Sequence, residues 1–165
     1  MASTLVSISA RRVLELGSGF GYSALWFARA VGPDGRVVLT EYSPDRAAEA
    51  EGFLRRSGLL DRVRIEVGNA LEIAERLDGP FDIIFNDVDK EDYPAALEIA
   101  IDRLRPGGLF ISDNMLWKGK VLDTDTTDAA TRGVLELTRR LYASDRLATT
   151  LVPVRDGVTL SVKER

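Results

Sequence analysis

Two patterns of apolar residues alternate along this chain, one typical of buried strands and one typical of helices. Short apolar runs that suit buried strands alternate with segments whose apolar residues recur at helical spacing, such as Leu97, Ala100 and Leu104. The pattern predicts strands at residues 12–16, 36–40, 63–67, 81–86, 109–112, 148–152 and 158–162. It predicts helices at residues 22–31, 44–57, 70–77, 93–104 and 126–143. Strands and helices therefore alternate along most of the chain.

This alternation predicts an α/β fold, a doubly wound parallel sheet with helices on both faces. Clusters of Gly and Pro mark the switches, as at residues 32–35 and 105–108. The last two strands are joined by a short turn that contains Asp156 and Gly157, so we expect them to close the sheet as an antiparallel hairpin. We predict one domain over residues 1–165, with residues 1–10 as a short leader into the first strand.

Composition narrows the possible functions. The chain has 165 residues, of which 45% are hydrophobic and 29% charged, as in one ordinary globular domain. A net charge of −4 without a basic face argues against nucleic acid as a partner. No stretch is apolar for long enough to span a membrane, and the front lacks a secretory signal pattern. We therefore expect no membrane partner.

Cysteine and histidine are both missing, and each of these absences excludes a kind of chemistry. The chain has no cysteine, which excludes thiolate catalysis and disulfides and favours an unsecreted, cytoplasmic protein. It also has no histidine, so imidazole metal sites and histidine-dependent triads are excluded. Any general base must be Lys, Asp, Glu or Tyr.

A glycine loop follows the first predicted strand. Gly17, Gly19 and Gly21 allow the tight turn and the close backbone approach that a ligand needs between a strand and a helix. The spacing is G-x-G-x-G instead of the dinucleotide fingerprint G-x-G-x-x-G. Glu15 lies just before the loop, where a carboxylate would repel a diphosphate and suit a cationic group. The alternative is a tight strand–helix connection without a ligand.

Polar residues also stand at the ends of later strands, where doubly wound sheets bind ligands. Glu41 and Tyr42 follow the second strand, and an acid about 20 residues beyond such a loop commonly binds ribose hydroxyls. Asp87 and Asp89 follow the fourth strand. Each has an ordinary alternative, because Glu41 could be a solvated loop acid and the two aspartates could cap the next helix.

The first, fourth and fifth strands should be neighbours in the sheet, which would bring Asp87, Asp113 and Asn114 to one mouth. For Asp113 and Asn114 alone, a turn-initiating role is the alternative. Two carboxylates and an amide oxygen form an all-oxygen set that suits Mg²⁺, Mn²⁺ or Ca²⁺ and is poor for zinc. Lys90, three residues after Asp87, could reach a substrate oxygen on that metal.

At this point the chain resembles the metal-dependent O-methyltransferases that use S-adenosylmethionine, typified by catechol and caffeoyl-CoA O-methyltransferases. Three blocks carry the resemblance: V-L-E-L-G-S-G-F-G-Y-S at 13–23, F-D-I-I-F-N-D-V-D-K-E-D-Y at 81–93 and G-G-L-F-I-S-D-N-M-L-W-K-G-K-V at 107–121. The first block is generic to methyltransferases, whereas the other two are specific. The resemblance implies a Rossmann-like class I methyltransferase fold, seven-stranded and mostly parallel with a C-terminal antiparallel hairpin.

The resemblance also implies roles for individual residues. The metal would lie on Asp87, Asp113 and Asn114, with Mg²⁺ favoured over Mn²⁺ or Ca²⁺. Lys90 would be the catalytic base, and Lys90, Asn114 and Trp117 would contact a hydroxylated aromatic acceptor of the catechol type, whose vicinal diol fills two metal positions. The residues implied for S-adenosylmethionine are Glu15, Gly17, Ser18, Gly19, Ser23, Glu41, Tyr42, Ala70, Asp87 and Asp89. A homodimer is also expected from the family.

The front of the chain departs from the family pattern. Relatives usually carry a few dozen residues before the first strand, which cover the cofactor and part of the acceptor pocket, whereas this chain has about ten. A shortened enzyme, cover by a partner chain and an incomplete chain are all open explanations. A non-catalytic or partner-dependent S-adenosylmethionine-binding module is therefore the alternative function. A nicotinamide-dependent oxidoreductase is a third hypothesis, which the loop spacing and Glu15 disfavour.

Overall fold

Seven strands form one sheet in the computed structural model, which describes residues 9–123 and 125–164. The strands are β1 (Arg12–Leu16), β2 (Arg36–Glu41), β3 (Val63–Val67), β4 (Phe81–Asn86), β5 (Leu104–Ser112), β6 (Leu147–Val152) and β7 (Val158–Lys163). The α-helices are α1 (Tyr22–Ala30), α2 (Pro44–Arg56), α3 (Ala70–Arg76), α4 (Tyr93–Arg103) and α5 (Ala129–Ala143). Short 3₁₀ helices occupy Leu60–Arg62, Lys90–Asp92 and Trp117–Leu122.

The strand order is β3-β2-β1-β4-β5-β7-β6, and it confirms the predicted fold class. The first five strands are parallel, whereas β7 runs antiparallel to both β5 and β6. The order reverses between β1 and β4, and ligands in such sheets bind beyond the carboxyl ends of the strands at this switch point. Leu16 pairs with Asn86, which pairs with Ser112, so the ends of β1, β4 and β5 lie level.

The core has two layers because successive strand residues point to opposite faces. On one face, Leu14, Ile84 and Phe110 pack with buried residues of α3, α4 and α5. On the other face, Val13 and Ile83 pack with buried residues of α1 and α2. β1 and β4 are thus buried on both sides, as is usual for parallel strands, which explains why apolar residues follow one another directly at 13–14 and 83–85.

Two elements begin several residues away from the predicted start, whereas β6 begins only one residue earlier than predicted, at Leu147. β5 begins at Leu104 instead of residue 109, since the segment that looked like a turn joins the sheet through a register shift opposite Phe81–Ile83. α5 begins at Ala129 instead of residue 126, because Asp128 is its N-cap and accepts a hydrogen bond from the Thr131 N–H at 3.2 Å.

The predicted leader over residues 1–10 lies outside the described residues except for Ser9 and Ala10. Within the described part of the chain, no helix combines the length and the apolar character that crossing a membrane requires. The prediction that residues 1–165 form one domain stays a prediction.

Gly133 in α5 lies directly against the 3₁₀ turn that begins at Lys90. A Cβ on Gly133 would lie 2.0 Å from the Lys90 carbonyl oxygen, a backbone atom that cannot swing aside. We therefore expect Gly133→Ala to lower the free energy of unfolding by about 1–3 kcal/mol, the usual cost of overpacking. Urea titration followed by circular dichroism measures the change.

Gly52→Ala in α2 is the matched control. Its Cβ would meet only the mobile guanidinium end of Arg56, at 3.4 Å. Replacing a helix-interior glycine there should raise the free energy of unfolding by roughly 0.5–1 kcal/mol. Equal effects of the two substitutions would contradict the close contact at Gly133.

Candidate active site

The glycine loop between β1 and α1 adopts a backbone that other residues rarely take. Gly17, Gly19 and Gly21 have φ angles of 78°, 60° and 78°. A Cβ on Gly17 would also lie only 2.7 Å from the carbonyl oxygen of Asp87. The loop therefore passes directly over the end of β4, which brings the first and the fourth strand ends together.

Side chains at the end of β2 hold this loop in place. Thr40 accepts a hydrogen bond from the Gly17 N–H at 3.1 Å, and its hydroxyl donates to the Glu15 carbonyl at 2.8 Å. The carboxylate of Glu41 accepts from the backbone N–H groups of Gly19 at 2.8 Å and Ser43 at 2.9 Å. Each carboxylate oxygen keeps acceptor capacity for a further donor, such as a ribose hydroxyl.

A cavity of about 510 Å³ opens beside the loop, within the size range of small-molecule sites. Eight of the ten predicted cofactor residues line it: Gly17, Ser18, Gly19, Glu41, Tyr42, Ala70, Asp87 and Asp89. The structure thus brings the ends of β1, β2 and β4 and the start of α3 around one space.

Glu15 and Ser23 are the two predicted cofactor residues that do not line this cavity. Glu15 is fully buried behind the loop, where its carboxyl group accepts hydrogen bonds from the hydroxyls of Ser18, at 2.8 Å, and Ser23. Burial raises the pKa of Glu15 to about 7, with a smaller contribution from the charge of Asp87, while the two serine bonds oppose the rise. Glu15 therefore supports the loop from behind.

The predicted metal residues lie at the ends of β4 and β5. The N–H of Asp87 donates to Leu16 at 2.9 Å and that of Asp113 to Asn86 at 3.2 Å, so both follow on from the sheet ladder. Burial raises the pKa of Asp87, and repulsion from Asp113 adds to this, whereas Lys90 opposes it. The two carboxyl groups are therefore close enough to interact.

Lys90 is almost completely buried among these groups. Its ammonium group donates to the Asp87 carboxylate at 2.9 Å, and it lies 4.7 Å from the ring centre of Tyr93 and 5.6 Å from that of Trp117. The Tyr93 hydroxyl in turn donates to the Asp113 carbonyl at 2.8 Å. Lys90 and Trp117, both predicted to contact the acceptor, thus lie together beside Asp87 and Asp113, which we call the acid pair.

The donor set fits a hard divalent cation. Among residues 9–123 and 125–164, no group of three or more His, Cys, Asp or Glu side chains could hold a metal ion. The predicted set instead joins the carboxylates of Asp87 and Asp113 to the amide of Asn114. Repulsion between two partly buried carboxylates is the situation that a cation relieves, and carboxylate and amide oxygens are the ligands that Mg²⁺ and Ca²⁺ prefer.

Sequence patterns missed several residues of the site. Thr40 is one of them, although its place between the apolar run 37–39 and the final acid of β2 was an available signal. Arg46 and Asn69 also line the cavity, and Asn69 caps α3 through its side-chain oxygen. No pattern indicated Tyr93, which packs beside Lys90 and binds the Asp113 carbonyl through its hydroxyl.

The raised pKa of Glu15 has a consequence for stability. Between its ordinary value of 4.5 and about 7, Glu15 binds a proton in the folded protein more than in the unfolded chain, so its contribution to stability is lost as the pH rises through this range. At about 1.4 kcal/mol per pKa unit, the loss is roughly 3 kcal/mol. Glu15→Gln should therefore gain this amount relative to the unsubstituted protein between pH 4.5 and 8, measured by urea unfolding. A difference that stays constant with pH would contradict the assignment.

Comparison with known proteins identifies the family. A family model described as O-methyltransferase matches residues 2–164. A catechol O-methyltransferase of Niastella koreensis is 37% identical over 162 residues, which cover 93% of this chain and 73% of the relative. A catechol O-methyltransferase of Mycobacterium tuberculosis is 44% identical over 134 residues, which cover 79% of this chain and 61% of the relative.

Solved structures agree with this. The O-methyltransferase TomG from Streptomyces achromogenes, solved in complex with SAM, has a TM-score of 0.95 at 34% identity. The O-methyltransferase from Bacillus cereus, in complex with SAH, has a TM-score of 0.94 at 32% identity. Each match covers 99% of this chain and 78% of the solved one. The chain, with its glycine loop, its acid pair and its sheet order, belongs to the O-methyltransferase family.

Proposed function

We propose that this protein transfers a methyl group from S-adenosylmethionine to a hydroxyl of a catechol-like acceptor, with a divalent cation on Asp87, Asp113 and Asn114. One observation carries the proposal: Asp87 lines the cavity beside the glycine loop, and it also belongs to the acid pair and binds Lys90. A cofactor in the cavity and an acceptor at the acid pair would therefore meet at a single residue. Methyl transfer requires such adjacency, because the two reacting atoms must be held in line.

The cofactor side of the proposal uses residues around the cavity. S-adenosylmethionine supplies, when bound, a methyl group on a positively charged sulfur. Glu41, anchored by two backbone N–H groups, is placed to accept hydrogen bonds from the ribose hydroxyls. Tyr42 and Ala70 line the same cavity and would flank the adenosine part, while Asp87 and Asp89 supply negative charge for the amino group. Ser18 completes the loop wall. Glu15 and Ser23 would act on the cofactor only indirectly, because Glu15 accepts hydrogen bonds from Ser18 and Ser23 and so supports the loop.

The acceptor side uses the acid pair and its neighbours. A bound Mg²⁺ would lower the pKa of an acceptor hydroxyl and orient it. In its neutral amine form Lys90 is placed to take the proton of that hydroxyl, and Asn114 and Trp117 would contact the acceptor. The half-buried Trp117 ring lies between Lys90 and Lys120, whose ammonium groups are 5.6 and 5.5 Å from its centre. It offers an aromatic surface beside the acid pair, and the names of the two bacterial relatives support an acceptor of the catechol class.

The proposal leaves parts of the biology as predictions. The homodimer and the cytoplasmic location stay predictions, and so does the choice of Mg²⁺ over Mn²⁺ or Ca²⁺. A non-catalytic module that binds S-adenosylmethionine is the alternative that the experiments below distinguish.

The test measures cofactor binding and metal-dependent methylation separately. We expect calorimetry to detect S-adenosylmethionine binding, and methylation of catechol to require Mg²⁺ and to stop in EDTA. Asp113→Ala should lower the methylation rate at least about 100-fold, since loss of residues behind metal ligands already costs 10- to 100-fold. Cofactor binding should persist, because Asp113 does not line the cavity.

The exposed Asp145 is the matched control, and Asp145→Ala should leave both measurements unchanged. Methylation that continues in EDTA would exclude the metal-dependent mechanism. Cofactor binding without methylation of any vicinal diol would instead favour the non-catalytic module.

The role of Lys90 is tested by two substitutions with different chemistry. Lys90→Met keeps much of the side-chain length and removes both the charge and the proton acceptor, so kcat should fall by roughly 100- to 10,000-fold. Lys90→Arg restores a positive charge beside Asp87 but cannot accept a proton at neutral pH. Steady-state methylation assays should therefore find both variants impaired. Recovery of activity in Lys90→Arg would mean that Lys90 acts only by neutralising Asp87.

A further inference from the structure

The turn between β6 and β7 contacts the loop that follows β5. This hairpin turn (residues 153–157) accepts hydrogen bonds from three backbone N–H groups of the 113–118 loop. The N–H of Met115 donates to the Gly157 carbonyl at 2.9 Å, and that of Leu116 donates to the Asp156 carbonyl at 2.8 Å. The N–H of Lys118 donates to the Asp156 carboxylate at 2.6 Å. Of these three hydrogen bonds, only the one to the Asp156 carboxylate has a side-chain acceptor, so only this bond can be removed by a side-chain substitution.

The 113–118 loop has an unfavourable backbone conformation. Asn114, Trp117 and Lys118 have φ angles of 54°, 46° and 54°, in the left-handed region that non-glycine residues rarely adopt. Such residues persist only where surrounding contacts hold them, and they concentrate at ligand sites. The hairpin turn supplies those contacts for the 113–118 loop.

The fit between the two segments is close. Gly157 has a φ of 77°, and a Cβ there would lie 2.6 Å from the Cγ of Leu116. Asp156 is half-buried, and its bond to the Lys118 N–H is charge-assisted, the stronger kind of hydrogen bond. The carboxylate therefore fixes the peptide that immediately follows Trp117.

We infer that Asp156 is a positioning residue, which holds the 113–118 loop so that Asn114 and Trp117 face the acceptor. The inference rests on the proposed function for its effect on catalysis, but not for its effect on the loop. Asp156 does not line the cofactor cavity, so its loss acts on acceptor binding and leaves S-adenosylmethionine binding in place. Asp156 lies 38 positions from Lys118 in the sequence, and the two residues come into contact only in the folded protein.

Tryptophan fluorescence tests the position of the loop directly. The chain has two tryptophans, so Trp26→Phe leaves Trp117 as the sole reporter, and Trp26 lies on α1 outside the proposed site. In this background Asp156→Ala should shift the emission of Trp117 to longer wavelength and increase its quenching by acrylamide. Asp156→Asn keeps an acceptor oxygen and should retain most of the original spectrum. Asp145→Ala, at the opposite end of β6, is the matched control.

Kinetics then test the consequence for catalysis. Asp156→Ala should raise KM for catechol by roughly 10- to 100-fold, the scale of one charge-assisted hydrogen bond. The Kd for S-adenosylmethionine, measured by calorimetry, should stay within about twofold. Asp156→Asn should recover most of the catechol KM. A uniform loss of cofactor binding, activity and stability would instead indicate a merely structural role and overturn the inference.

The two proposals fail in distinguishable ways. If the unsubstituted protein methylates no diol, the proposed function fails, and the fluorescence shift still decides the position of the loop. If Asp156→Ala leaves the Trp117 spectrum unchanged, the inference is overturned whatever the activity. Should Asp156→Ala unfold, Asp156→Glu carries the test, since it displaces the carboxylate by one methylene and should produce the same red shift.

Discussion

The site depends on how closely the glycine loop approaches the end of β4. A Cβ on Gly17 would lie 2.7 Å from the Asp87 carbonyl, so any other residue would push the loop away from Asp87. This contact places the cavity wall and the acid pair side by side. A looser packing of the same elements would separate the cavity from the acid pair, and methyl transfer tolerates little misalignment.

Two hydrogen-bond networks stabilise the two sides of this contact. On the cavity side, Thr40 and Glu41 bind the backbone of the glycine loop, and the buried Glu15 accepts a hydrogen bond from the Ser18 hydroxyl. On the other side, Lys90 binds Asp87, and Asp156 holds the loop beyond Asp113. Each network includes partners distant in sequence, since Thr40 lies 23 positions from Gly17 and Asp156 lies 38 positions from Lys118. These bonds hold the glycine loop and the loop after β5 in place on either side of Asp87.

The last strand illustrates the limits of a hydrophobic pattern. The alternation V-T-L-S-V-K predicted β7 correctly, and apolar residues would ordinarily be expected to face the core. The structure instead buries Thr159, Ser161 and Lys163, whereas Val162 is 42% exposed. The Lys163 ammonium donates to the carbonyls of Ile101 and Leu104, so the buried charge has partners, and burial lowers the pKa of Lys163. Alternation thus establishes a strand but not which of its faces is inside.

By itself, the sequence determined the succession of strands and helices, the glycine loop and the acids at the carboxyl ends of β2, β4 and β5. These features are local, since periodicity and turn residues act over a few positions. Only the tertiary structure decided that Glu15 lies behind the loop, that Thr40 clamps it and that Asp156 holds the segment after Asp113. The bond from Thr40 to Glu15 joins residues 25 positions apart, and the bond from Lys118 to Asp156 joins residues 38 positions apart. Both exist only once strand order and register are set. A linear pattern carries no information on such pairs, because each depends on the packing of the whole sheet.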